Sequence, residues 1–319
     1  MADNLGALTT DNVPLSALYT EFLDSVERHN EKSRDYIGMF AGAPTKNRTA
    51  QIRTRSMAFA KAGSDTTVPD MQHLDRFDIA LEDPIRYVAK GAITRASWEK
   101  GLASDEVREH HLEALDADYR LITEYFMSKM LTDGGWYDAT LTPPSYKKNT
   151  FASSHDHYLA YNVSGTPTLA HFNAARHHIA EHGFNSGVVA FINNDQVEKI
   201  ENLAEWVSPA ADMDSPVIQR LQEFGMTPAF KAGGMPVYEE DWVPSGYGLV
   251  VSLGVKPLRW RITDNPVTAD LIAFEQDANL QYQWTGEYAR WCSATVVMPG
   301  AGCAIYWGSG TWADPTFDV

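Results

Sequence analysis

An α+β fold is what this sequence predicts, and three patterns predict it. A stretch of about 27 residues beginning at Ser104 repeats apolar side chains at helical spacing. Residues 165–225 alternate helix-like and strand-like segments. Beyond about residue 236 the chain is mostly strand and turn, with frequent tryptophan and tyrosine. At 319 residues, the chain has room for about two domains, or one elaborated domain, around a sizeable core. An apolar content of 44% excludes a disordered chain.

The first element expected is a short amphipathic helix over residues 11–30. Asp11 or Asn12 stands where an N-cap is needed, Pro14 suits the first turn, and Leu15, Leu18, Tyr19, Phe22 and Val26 form one stripe. The charge then changes sign. The whole chain holds 26 Lys plus Arg against 42 Asp plus Glu, a net charge of −16. Residues 36–64 contain no acid but hold Lys46, Arg48, Arg53, Arg55 and Lys61, so that segment is +5 and the other 290 residues carry −21. With Gly42, Pro44 and small polar residues it reads as an extended arm, either a solvated linker or a segment lying on an acidic neighbour or a polyanion. Residues 53–100 follow as a two-stranded excursion about a polar tip at residues 63–69, with returning strands near residues 79–81 and 87–93.

Ser104 can cap the long helix, and Asp105 and Glu106 favour the positive end of its dipole. Leu112, Leu115, Tyr119, Ile122, Phe126 and Met130 supply its stripe, Lys129 stands in the last turn, and Gly134 and Gly135 stop it. At about 40 Å it is a spine on which other elements are laid. After Pro143 and Pro144, Thr168 caps a helix closed by Gly183. Residues 187–192 (GVVAFI) read as a buried strand, and residues 195–204 and 217–224 as short helices. Strands follow over residues 248–253 and 257–262. Residues 289–297 and 303–307 are expected to close as a hairpin about Pro299 and Gly300. In that register Cys303 faces Val296 and not Cys292, so two buried thiols are expected and no disulfide.

Composition and motifs narrow the function. The acidity disfavours a free-standing nucleic-acid binder, whose phosphate affinity comes from clustered Lys and Arg. The longest apolar runs, near residues 188–192 and 249–253, fall far short of the ~18 residues of a membrane span. The start has no basic stretch followed by an apolar one, so a cytoplasmic protein is expected. There is no glycine-rich phosphate loop, no G-x-S-x-G elbow and no C-x-x-C. Histidine is the one suggestive feature. His171, His178 and His182 lie within about 40° of one another on their helix, at 100° per residue. His178, Glu181 and His182 match H-x-x-E-H, a zinc-hydrolase pattern in which two histidines share a metal and the glutamate acts as base. His155 and His157 lie just upstream as further ligands. Helix-border histidines more often form a polar edge over a core. The reading adopted is therefore no catalytic residue, no cofactor and no metal, with His178 and His182 as the metal candidates should it fail.

The order of these parts resembles the major capsid protein of tailed double-stranded DNA phages, a fold shared with encapsulins. Local runs carry the resemblance. Gly91-Ala-Ile-Thr-Arg-Ala-Ser-Trp98 before Ala103-Ser-Asp-Glu106 is similar to the family's passage from its extended loop into the spine helix. Ser154-His-Asp-His-Tyr158, followed by a helix ending at Glu181-His-Gly183, resembles a run in capsid proteins of actinobacterial and related phages. Trp242-Val-Pro-Ser-Gly-Tyr247, Gly300-Ala-Gly-Cys-Ala-Ile305 and Trp312-Ala-Asp-Pro-Thr316 resemble the family's later strands and tail. The likeness covers about residues 50–319.

The resemblance implies an N-terminal arm (1–52), an extended loop (53–101), a periphery domain with the spine helix (102–164), an axial domain (165–255) and a return to the sheet (256–319). It implies no enzymatic activity, but self-assembly into hexamers and pentamers of a virion shell, put together in the host cytoplasm. Portal, scaffold and decoration proteins are the implied partners, and packaged DNA would be touched only weakly. Lys46, Arg48, Arg53, Arg55 and Lys61 become candidate inter-subunit contacts. The alternatives are an encapsulin-like compartment shell, disfavoured by the expected extended arm, and the zinc hydrolase.

Overall fold

A computed structural model describes residues 8–53, 76–94, 101, 103–132, 155–201, 219, 221–222, 226, 228–263, 269–276 and 282–317. The fold is α+β. Helix α1 (Leu15–Phe40) leads into strands β1 (Ala41–Thr45) and β2 (Thr49–Arg53), followed by β3 (Arg76–Ala80) and β4 (Ile85–Thr94). Helix α2 (Ser104–Leu131) is the spine, 28 residues and about 42 Å long. Strand β5 (Tyr158–Ala160), helix α3 (Leu169–Glu181), strand β6 (Val188–Ile192) and helix α4 (Asn194–Glu201) come next. The chain ends in strands: β7 (Pro228–Ala232), β8 (Met235–Glu239), β9 (Tyr247–Ser252), β10 (Leu258–Arg261), β11 (Ile272–Gln276), β12 (Tyr282–Cys292), β13 (Ala294–Val296) and β14 (Gly302–Tyr306).

A six-stranded mixed sheet, ordered β5-β14-β9-β6-β8-β7, organises the molecule. Its central strands β14, β9 and β6 are buried on both faces, and their side chains alternate between two cores as a period of two requires. Val189, Phe191, Leu249, Val251 and Ala304 face a core shared with α1 and α2. Ala190, Ile192, Val250, Cys303 and Ile305 face a second core with Phe172, Ala175 and Ile179 of α3 and Val197 and Ile200 of α4. Smaller sheets surround it: β1-β10-β13, β11-β12-β4 and the ribbon β2-β3. Aromatic rings join the helices to the central sheet. Phe40 packs 5.8 Å from Phe126 and 5.9 Å from Phe191, and Phe126 meets Trp260 edge-on at 5.4 Å.

Several sequence expectations need correction. The first helix does not end near residue 30 but runs to Phe40, so residues 36–40 are helix and not extended arm. Its apolar stripe passes through polar Asn30 and Ser33, both buried, before resuming at Tyr36, Ile37 and Phe40. Residues 41–45 and 49–53 are paired strands: β1 runs parallel to β10, and β2 pairs antiparallel with β3 from Thr49↔Ala80 to Arg53↔Arg76. Residues 85–94 do not return from that ribbon, because β4 pairs along its length with β12. The closing hairpin is absent. A 3₁₀ turn, Pro299–Ala301, passes the chain from β13, which pairs with β10, to β14, which pairs with β9 and β5. Cys303 is paired in register with Val250 and Cys292 with Ile85, and both cysteines are buried and free. The expected tip at residues 63–69 and nearly all of the helix at 217–224 lie outside the described residues.

The spine helix also starts differently. Ala103 is its N-cap, and the Asp11 carboxylate, 93 residues upstream, caps it, accepting from the Ser104 N–H at 3.0 Å and the Ser104 hydroxyl at 2.5 Å. Those hydrogen bonds hold the Asp11 carboxyl well below the usual carboxylate range.

Candidate assembly surfaces and a histidine cluster

The basic segment is only partly an arm. Lys46 and Arg48 are exposed in the turn between β1 and β2, and the Arg48 carbonyl accepts from the Leu81 N–H at 2.8 Å. Arg53 ends β2, in register with Arg76. Arg55 and Lys61 lie outside the described residues.

Two of the six residues of the spine stripe are exposed, while Leu115 between them is half-buried against Val26, Leu271 and Tyr288. Ile122, Phe126 and Met130 are fully buried, whereas Leu112 is 60% exposed and Tyr119 is 37% exposed. In the first half of the helix the inward positions are instead Val107, His111 and Asp118. Leu8, Leu23, Ile85 and Val88 are further large apolar side chains left in contact with water. A cleft of about 200 Å³ lies between β4 and α2, lined by Val88, Ala114, Ala117, Leu121 and Tyr288 among others.

The inward polar residues of α2 form a junction with α1 and the β11–β12 pair. Arg290 on β12 is fully buried and grips Asp118 with two bonds, Nε to Oδ1 at 2.5 Å and Nη2 to Oδ2 at 2.7 Å. It also donates to the Ala269 carbonyl and, at 3.3 Å, to Asn30 Oδ1. His29 lies 2.7 Å from Asp118 Oδ2, and Asn30 exchanges two bonds with the Leu271 backbone, at 2.7 and 2.8 Å. Burial alone would raise the Asp118 carboxyl. The His29 bond and the Arg290 charge outweigh it and hold that carboxyl below its ordinary value. Two turns earlier, His111 stacks on Phe22 at 4.2 Å and bonds Ser25 and, at 2.7 Å, the Tyr288 hydroxyl. Burial pushes the His111 imidazole down to about 4.

A second cluster sits at the C-terminal end of α3. His155 and His157 lie in the irregular segment that leads into β5, His157 at a bend. His178 and His182 are four residues apart on one helical face, His182 being the C-cap. One ring nitrogen from each lies within 4.8 Å of all the others. His155 Nε2 is 2.9 Å from His182 Nε2, and His178 Nε2 is 3.0 Å from His157 Nδ1. His157, His178 and His182 are buried, and His155 is half-buried. Burial, reinforced by the neighbouring rings, pushes His157 down to about 2, His182 to about 3 and His178 to about 4, and burial also lowers His155. All four imidazoles are therefore neutral near pH 7, with lone pairs to share.

The other candidates divide away from this cluster. His171 turns to the core, stacked on Tyr161 at 3.8 Å, and its Nδ1 accepts from the Trp307 indole at 3.0 Å and the Thr168 N–H at 3.2 Å. His177 is exposed and lies 3.1 Å from a Glu181 carboxylate oxygen. No helix among the described residues is long and apolar enough to cross a membrane.

No protein-family model matches the sequence, and no curated protein matches it. Solved structures do. A protein of Mycobacterium phage Patience aligns over 98% of this chain and 92% of its own, with a TM-score of 0.66 at 18% identity. The capsid structure of the cyanophage P-SCSP1u aligns over 85% and 87%, with a TM-score of 0.54 at 10% identity. The capsid of an empty GTA particle aligns over 85% and 89%, with a TM-score of 0.53 at 11% identity. These likenesses show the fold: the α+β architecture is shared with the chains of those phage and GTA-particle structures.

Proposed function

We propose that this chain is a structural major capsid protein, which assembles into hexamers and pentamers of an icosahedral shell around a double-stranded DNA phage genome. The observation that carries the reading is the shared architecture, which builds the capsids of the cyanophage and of the GTA particle and fits the Patience protein over 98% of this chain. Leu112, 60% exposed on the spine helix, supports it, because a large apolar side chain left in water there suits contacts between copies. Rings of five and six need the same surfaces to close at two angles, a heterologous contact that flexes at hinges. In this reading the β2–β3 ribbon belongs to a loop reaching across a neighbour, and residues 165–255 gather at the symmetry centres. Lys46, Arg48, Arg53, Arg55 and Lys61 then lie on acidic surface of adjacent subunits, while the −21 of the remaining chain keeps packaged DNA loosely held. Portal, scaffold and decoration proteins complete the partners, the site of action is the virion, and assembly takes place in the host cytoplasm.

The long N-terminal helix removes one argument for a phage shell over an encapsulin, since the extended arm expected to separate them is helical through residue 40. The likeness to phage Patience supports the phage version. Light scattering of the chain expressed alone and with a scaffold tests the proposal. Megadalton particles are expected. A 35.5 kDa monomer under both conditions contradicts it.

A further inference from the structure

We propose that His155, His157, His178 and His182 bind one divalent transition-metal cation of the zinc class, in a closed tetrahedral site that fastens the edge of the central sheet to helix α3. The spacing fits such an ion. With metal–nitrogen bonds of about 2.0–2.1 Å, tetrahedral ligand nitrogens stand about 3.4 Å apart. Here two of the nitrogen pairs stand at 2.9 and 3.0 Å, and all four nitrogens converge within 4.8 Å. Modest ring rotations bring all four onto one ion. Imidazole nitrogen is a ligand for zinc, copper, cobalt and nickel, and a four-coordinate tetrahedral set selects zinc and cobalt among them.

The surroundings are built to place these rings. The Ala304 N–H of β14 donates to the His157 carbonyl at 3.0 Å, which fixes the chain carrying His155 and His157 against the sheet. Gly300, in the 3₁₀ turn before β14, lies so close to the His182 ring that a Cβ there would stand 2.6 Å from it, so glycine keeps the ring's space open. Strand β5 is a three-residue edge strand, paired among the described residues with β14. A metal at the cluster would tie it to α3 independently of those few ladder bonds. With four protein ligands the site has no open position for substrate, which is the character of a structural and not a hydrolytic centre. Glu181, the base of the hydrolase reading, lies 3.1 Å from His177, and its charge also reaches His155 of the cluster. In the metal-free chain the same rings are satisfied as two N–H···N pairs, each with one donor and one acceptor tautomer. The ion would exchange those two bonds for four coordinate bonds.

The test uses untagged full-length protein stripped with chelator and dialysed against zinc or cobalt(II). About one zinc per chain is expected to remain by elemental analysis, and cobalt(II) in its place should give the intense visible bands of a four-coordinate ion. His177→Ala, an exposed neighbour, should keep both signals, and His157→Ala with His178→Ala should lose both. Zinc should also raise the thermal unfolding midpoint of the stripped wild-type protein, which serves if the double variant fails to fold. Stripped, folded wild-type protein that retains no zinc and gives no four-coordinate cobalt spectrum overturns the assignment. So does zinc retention unchanged by the double substitution. Neither outcome depends on whether the chain forms shells.

Discussion

Arg290 has no contact with solvent, and the residues it holds come from α1, α2 and the segment before β11. Removing one member of such a buried pair leaves a charge without a partner, so Arg290→Met is expected to destabilise the chain by about 3–5 kcal/mol. Arg290→Met combined with Asp118→Leu should cost less than Arg290→Met alone, and chemical denaturation of the three variants forms the cycle that checks it. The neighbouring His111 makes a pH prediction. Its folded value of about 4 lies below the ordinary 6.5, so between those values the unfolded chain binds the proton more readily. Its contribution is complete above pH 6.5 and is lost as pH falls toward 4. His111→Gln should therefore lower the unfolding midpoint at pH 7 while flattening its fall over that window. This network explains what was illegible in the sequence. Asn30 and Asp118 interrupt apolar stripes where a pattern search expects leucine or valine, and their burial becomes intelligible only once Arg290 and Leu271, remote in sequence, stand opposite. The histidine cluster was half legible. The i,i+4 pair His178 and His182 was evident, and His155 and His157 stood close by in sequence, but the turn that brings the pairs together was not.

At the scale of elements, the spine helix was the most legible part of the chain, because a long run of three- and four-residue spacings has few other solutions. Its second half packs as that pattern demands. Phe126, fully buried among Tyr36, Phe40 and Trp260, should cost about 3–5 kcal/mol on replacement by Ala, read by denaturation midpoint. Its first half presents Leu112 outward. Leu112→Asp should leave the circular dichroism and melting of dissociated subunits unchanged while sharply lowering the yield of particles. An equal loss of folded subunit would show that Leu112 serves the fold and not the contact. Strand pairing was the least legible feature. Residues 294–296 and 302–306 flank a turn and look like a hairpin, yet each finds its partner far along the chain, in β10 and β9. Local turn chemistry predicts a reversal of direction but does not say which sheet receives the strand.

The whole molecule joins one +5 segment to a chain carrying −21. Contacts between opposite charges at exposed surfaces are screened by salt, so shells fastened by the basic residues should lose stability as ionic strength rises, and salt-indifferent shells would leave those residues without that role. Deleting residues 1–55 removes α1, which carries Phe22, Asn30, Tyr36 and Phe40, together with the Asp11 cap on the spine. That deletion is expected to prevent stable subunits, a stronger effect than the loss of a peripheral arm. The central claim is assembly, and the most direct measurement is negative-stain electron microscopy of the full-length chain expressed with and without a scaffold. Closed shells showing five- and six-fold capsomers are the predicted result. Fields containing only dispersed single subunits under both conditions would contradict it.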